Sequence, residues 1–172
     1  FLYIFNLINL MFIHPSASID KNVKFGDNIY IGANVFIGKN TILGNNVTIQ
    51  NGCEIGNYVG DNDQLPLIIG DNSLIRSQSI IYGGSTFGDN LITGHRVTIR
   101  EGVKAGKNLQ IGTLTDIQGN CIIGDFVRMH SNVHIGKHSK IGNFVWIFPY
   151  VVLANDPHPP SDIYLGVLIK DF

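Results

Sequence analysis

The residues best suited to chemistry are histidines with acidic and amide neighbours. Six histidines occur, and five of them, His95, His130, His134, His138 and His158, lie in or beside the second half of the chain. His134 sits between Val133 and Ile135. On an extended strand it points away from the side its apolar neighbours share. Asp116 stands eighteen residues earlier in the same kind of setting, between Thr115 and Ile117. A carboxylate beside an imidazole orients the ring and raises its basicity, as in a base with its orienter. The same two residues would also make an ordinary cross-strand polar pair. His130 precedes Ser131-Asn132, and Phe148-Pro149 follow it by about one more eighteen-residue step. That spacing puts an aromatic wall near the His130 ring. A cluster of His95, His130 and His134 could bind a substrate and take a proton from it, or it could be a solvated histidine-rich edge. Asn155, Asp156 and His158 stand on a proline-rich excursion, Asp156-Pro157-His158-Pro159-Pro160, that cannot be helical.

A repeat must position these groups. From Ile13 an apolar residue recurs every sixth position, as at Ile19, Phe25, Ile31, Ile37, Leu43, Ile49 and Ile55. The phase breaks over Asp61–Ile68, resumes at Ile69 and runs to Leu153. In all there are about 22 hexads, far more than chance gives for a short repeat. With the aliphatic residue as position 1, position 5 is also apolar or small (Val23, Ile29, Val35, Val47, Cys53). Positions 5 and 1 are two apart and share a face, so position 6 points outward. Positions 3 and 4, rich in Asn and Gly, form a corner where a tight or left-handed conformation is cheap. One hexad is a short strand and a turn. It cannot bury its face alone, but stacked coils share a core. Helical periodicity is missing. The broken stretch is one hexad plus two residues, a loop bulging from a corner.

Composition narrows the function classes. Net charge is −1, with 12 basic and 13 acidic residues, which argues against a nucleic-acid partner. Cys53 and Cys121 both fall at position 5, on different faces, and are read as small core residues in a reducing compartment. Residues 1–12 are apolar and are read as an N-terminal capping segment. They lack the basic and small-residue features of a signal peptide, and are shorter than the ~20 residues a membrane span needs. Met11 opens a plausible natural start, so the residues ahead of it are read as an extension. Residues 13–154 are read as the repeat domain, and 155–172 as a loop and the start of a further coil, with truncation at Phe172 left open. The expected location is cytoplasmic.

The hexad motif resembles the hexapeptide-repeat acyltransferase superfamily. The resemblance implies an all-β fold: a left-handed parallel β-helix, a triangular prism of about seven to eight coils with three hexads per coil. Thr93-Gly94-His95, Ile99-Arg100-Glu101, Ile111-Gly112-Thr113, His130-Ser131-Asn132-Val133, Pro149 and Asn155-Asp156-Pro157 are similar to stretches of the sugar-nucleotide amino N-acetyltransferases. That likeness implies a homotrimer with acetyl-CoA between neighbouring prisms, and acetyl transfer to the amine of a nucleotide-linked amino-deoxysugar. It carries over Asn132, as a polar corner residue near the amine; with the pair read above, the expected catalytic residues are His134, Asn132, Asp116 and His130. It carries over His95, Arg100, Glu101 and Asn155 as recurring polar positions; with Asp156 and His158 of the loop they are the expected substrate contacts, and Phe148 and Pro149 of the aromatic wall are the expected cofactor contacts, with no metal. His130 is often Gln in such relatives, which argues against an obligatory base there. Members usually continue with more coils after the Asn-Asp-Pro loop, so the cofactor groove of this chain is expected to be partial. Other readings stay open: O-acetylation of a sugar or serine, which needs a true base; a non-catalytic trimeric scaffold with Phe144, Trp146 and Tyr150 as contacts; and a zinc site like that of gamma-class carbonic anhydrases. In that last family the close histidines are five apart around a strand, whereas His130 and His134 are four apart around a corner.

Overall fold

The computed structural model describes residues 10–58, 65–156 and 165–171. These residues form a parallel β-solenoid with 24 short strands. Every third strand belongs to the same sheet, giving three eight-stranded parallel sheets, here called the first, second and third faces of the prism. The first face starts at Met11–Ile13, the second at Ser18–Ile19 and the third at Lys24–Phe25. The first strand thus begins two residues ahead of the expected domain boundary, with Met11 pairing Ile29. Neighbours in a sheet are eighteen residues apart along most of the prism, as with Ser18 and Phe36, or Asp116 and His134. Each turn therefore stacks about 4.8 Å above the one before.

The hexad explains the burial. Position 1 and position 5 side chains fill the interior: Ile31, Ile49, Ile55, Val47, Val97 and Ile135 are all sealed from solvent. Position 6 faces out. Position 4 takes a left-handed conformation: Asn34, Asn46, Asn90 and Asn132 have φ of 54°, 56°, 63° and 58°. Asn tolerates that region because its short polar side chain bonds locally. Several bulkier residues adopt it too, among them Leu114, Phe126, Phe144 and Tyr150.

The corner between the third and first faces shows why positions 2 and 3 read Gly-Asx. The position 3 backbone N–H of one turn donates to the position 3 side chain of the next. Asp27 N donates to Asn45 Oδ1 at 2.9 Å, Asn45 N to Asp71 Oδ1 at 2.7 Å and Asp71 N to Asp89 Oδ1 at 2.9 Å. Lys107 interrupts the series, and it resumes from Lys107 N to Asp125, Asp125 N to Asn143 and Asn143 N to Asp171. The accepting side chain occupies the space a Cβ at position 2 would need: at Gly44 that Cβ would collide with the Asp71 carboxylate.

Both departures from the eighteen-residue step leave from one corner, between the second and third faces. Thr41 pairs with Leu67, and Lys140 with Leu168; across these steps the partners are 26 and 28 residues apart. Tyr58 and Leu65 flank the first departure, with Tyr58 Oη donating to Lys39 O at 2.9 Å. Leu165 N donates to Asn155 O at 3.1 Å and closes the second. His158 and most of the expected capping segment lie outside the described residues. Among the described residues no helix is long and apolar enough to cross a membrane.

Cys53 and Cys121 are fully buried and unpaired. Burial pushes both thiols above their ordinary pKa, although backbone N–H groups nearby act the other way. Neither should react with iodoacetamide at neutral pH in the native protein, and both should react in denaturant; mass spectrometry reads the count. Hydrogen bonds from the Asn45 backbone and side chain hold the Asp71 carboxyl below its usual value. A carboxyl lowered by folding stabilises fully above its unfolded pKa, and that contribution disappears as pH falls through the folded one. Asp71→Asn should therefore flatten part of the acid limb of the melting temperature against pH. An unchanged limb would remove Asp71 from the set of groups that cause acid unfolding.

Candidate functional site

The strands Asp116–Ile117 and His134–Ile135 are neighbours on the second face. Their position 6 side chains stack outward, and His134 Nδ1 lies 2.9 Å from Asp116 Oδ2. A carboxylate can only accept there, so Nδ1 carries the proton and the free lone pair of a neutral ring falls on Nε2. Gln118 Nε2 donates to the same carboxylate oxygen at 2.6 Å. Gln118 is two residues on from Asp116 and faces the same way, so Asp116 is held from two sides. The side chains of His134 and Asp116 are 41% and 36% exposed. Water screens the pair, so it adds little to stability, and the imidazole stays within reach of a small molecule.

Below this pair on the same face lies a second polar group. Arg100 Nε meets Glu101 Oε2 at 2.9 Å, and the guanidinium lies over the Tyr82 ring at 5.0 Å. Partial burial pushes the Glu101 carboxyl up, but its own backbone N–H, the Arg100 guanidinium and more distant Lys137 outweigh that and hold it below the usual range. Arg100 and Glu101 thus arrive as a pre-formed pair.

The three histidines do not meet. His95 stands at position 3 of the corner between the first and second faces, with Nδ1 2.7 Å from Ser77 Oγ and its backbone N–H donating to Thr113 Oγ1 at 3.2 Å. His130 lies on the first face, its ring stacked 5.6 Å from Trp146 and 6.3 Å from Phe148, with Trp146 and Phe148 5.2 Å apart. His134 lies on the second face. The corner Ser131–Val133, with Asn132 at its left-handed position, separates the last two. The aromatic wall expected beside His130 is present, with Trp146 added to Phe148; Pro149 is exposed beside it. Asn155 and Asp156 leave the second face two turns above Gln118. Among the described residues no three His, Cys, Asp or Glu side chains are grouped to hold a metal ion. Sequence reasoning missed Gln118 and Tyr82. The signal for Gln118 was its two-residue offset from Asp116 on one strand face.

A family model described as the GMPPB C-terminal domain matches residues 7–105, a stretch of hexads that ends before Asp116. The bifunctional protein GlmU of Alkaliphilus metalliredigens is 30% identical over 80 residues, 45% of this chain and 18% of that protein. The bifunctional protein GlmU of Ruthia magnifica is 31% identical over 97 residues, 50% of this chain and 20% of that one. The chain spans about a fifth of the length of these curated relatives. Among solved structures, the UDP-N-acetylglucosamine acyltransferase of Francisella novicida shares the fold with a TM-score of 0.65 and 23% identity, over 93% of this chain and 67% of that one. LpxA, a UDP-N-acetylglucosamine acyltransferase from Bacteroides fragilis, matches with a TM-score of 0.51 and 26% identity over 85% and 72% of the two chains. With three parallel faces, a six-residue period and a family match over more than half its length, the chain belongs to the GMPPB C-terminal domain family, within the hexapeptide-repeat superfamily of left-handed β-helix acyltransferases.

Proposed function

We propose that this chain transfers an acetyl group from acetyl-CoA to the amino group of a nucleotide-linked amino-deoxysugar, working as a homotrimer. The observation that carries the reading is the Asp116–His134 pair: an outward imidazole with one nitrogen tied to a carboxylate and the other open. Attack on a thioester forms the new N–C bond and breaks the C–S bond. The amine must lose a proton as this happens; in this reading Nε2 of His134 takes it, with Asp116 stabilising the imidazolium that results. The thiolate of the donor leaves and is protonated in turn. Arg100, Glu101 and His95 are assigned to the acceptor, with Asn132, Asn155, Asp156 and His158. Phe148 and Pro149, backed by His130, are assigned to the donor. Two of the structural relatives are UDP-N-acetylglucosamine acyltransferases by name, which supports a nucleotide sugar as acceptor.

The second reading is transfer to a hydroxyl on the same scaffold. The Asp116–His134 pair favours it as well, because a hydroxyl needs a true base to become a nucleophile. The acceptor decides between the two.

Release of free thiol from acetyl-CoA, measured with UDP- and dTDP-linked sugars bearing either an amine or only hydroxyls, tests both. His134→Ala should lower kcat by about 10²–10⁴. Asp116→Asn should lower it less, with KM little changed. Turnover that survives His134→Ala at the wild-type rate would remove the base from this mechanism.

A further inference from the structure

At the corner between the first and second faces, position 3 side chains accept from the backbone N–H one turn below. Ala33 N donates to Asn51 Oδ1 at 2.9 Å and His95 N to Thr113 Oγ1 at 3.2 Å. Ser77 departs from that series. Its backbone N–H donates to Gln50 Oε1 at 3.2 Å, and its Oγ lies 2.7 Å from His95 Nδ1. Neither the Ser77 nor the His95 side chain has another hydrogen-bond partner among the described residues. The buried serines differ: the hydroxyls of Ser73, Ser79 and Ser139 donate to backbone carbonyls at 2.8, 2.8 and 2.6 Å. The Ser77 proton has Nδ1 as its one acceptor among these groups, which puts the ring proton on Nε2. A hydroxyl donating to an imidazole nitrogen at that distance is a nucleophile beside its base.

The residues that follow this pair add a cation. Gln78 and Arg96 take the left-handed corner position in the same two turns, with φ of 61° and 54°. Residues other than Gly or Asn held in that region gather at functional sites. Arg96 Nε donates to Gln78 Oε1 at 2.9 Å, which ties the guanidinium alongside the two turns that carry Ser77 and His95. Its terminal nitrogens have no partner among the described residues and are open to a developing oxyanion. His95 is exposed and Ser77 half-buried. A depression of about 370 Å³ opens beside them on the edge of the first face, bounded by Arg76, Gly112, Arg128 and His130, with room for the body of an acyl donor.

We infer that Ser77 and His95 form a covalent acyl site that hydrolyses an acyl thioester. Ser77 Oγ bonds to the thioester carbon and the C–S bond breaks. His95 Nδ1 takes the hydroxyl proton and passes it to the leaving thiolate. Water then bonds to the same carbon, the C–Oγ bond breaks, and a proton of the water returns through His95 to Ser77. The products are a free acid and a free thiol, and nothing is oxidised or reduced. The substrate class follows from what the pair lacks. No carboxylate orients His95 among the described residues, so the base is weaker than in a full triad. Such a pair suits an acyl group whose leaving group departs without prior protonation, as a thiolate does and an amine does not. No amine takes part, and neither Asp116 nor His134 does, so the inference stands apart from the acetyl-transfer reading.

The full chain carrying His134→Ala, in which the other imidazole cannot act, is treated with p-nitrophenyl acetate and then with acetyl-CoA. Each probe should release its leaving group, and mass spectrometry of the acid-quenched protein should find acetyl on the peptide that holds Ser77. Adding Ser77→Ala should remove both signals. Adding His95→Gln, which can still accept the hydrogen bond but cannot take the proton, should slow release about 10²–10⁴-fold. Ser77→Cys should still be acetylated, as a thioester that hydroxylamine clears, which separates loss of the nucleophile from loss of the fold. Ser16 is the internal control. It also touches a ring nitrogen, of His14 at 2.9 Å, but within a two-residue turn whose backbone N–H bonds the same atom. Release that is unchanged in Ser77→Ala, release untouched by His95→Gln, or acetyl reaching Ser16 as fast as Ser77 overturns the inference. Acetylation of Ser77 is expected whether or not a sugar amine is ever acetylated, so failure of either reading leaves the other standing.

Discussion

Along the described coils, side chains stand one turn above another. The parallel ladder fixes a stacking distance of about 4.8 Å, so each position must tolerate the residue eighteen places before and after it. Inside the prism the rule selects branched aliphatics of similar size. At the corners it selects Gly followed by Asx, because the Asx oxygen of one turn needs the space above the Gly of the turn before. Even the aromatic residues obey it: Phe12 stacks on Tyr30 and Phe126 on Phe144, each at 5.1 Å.

The candidate site is a by-product of the same rule. Asp116 and His134 meet because two outward positions coincide in adjacent turns, with no loop needed to bring them together. The backbones of both residues are fixed, since each strand is paired on both sides. The face alone offers such a pair no enclosure, and both side chains stay partly exposed. A flat strand surface has to borrow walls from a loop or from another molecule before it can exclude water.

Much of this was legible in the sequence. The six-residue period gave the strands, the buried positions and the interior placement of Cys53 and Cys121. The eighteen-residue offset joined Asp116 to His134 once three hexads per coil were granted. What was not legible came from corners. His130 and His134 are four apart and looked like one cluster, but a corner turns the chain between them and sends them to different faces. The left-handed position predicted Asn or Gly, and local cost gives no hint that Leu114, Phe126, Phe144 and Tyr150 also adopt it. Tyr82 was hidden for a different reason: its contact with Arg100 depends on side-chain reach, which periodicity does not encode.

The Asx ladder at the third-to-first corner has a direction. Each turn donates a backbone N–H upward and accepts one from the turn below through its Asx oxygen. Peeling a turn from the amino-terminal end removes a donor and leaves an oxygen that water can serve. Peeling one from the carboxy-terminal end removes Asp171 and strands the N–H of Asn143 at an edge. The two ends of the series therefore expose different groups, an acceptor at the amino-terminal side and a donor at the carboxy-terminal side, and the same holds at the interruption at Lys107.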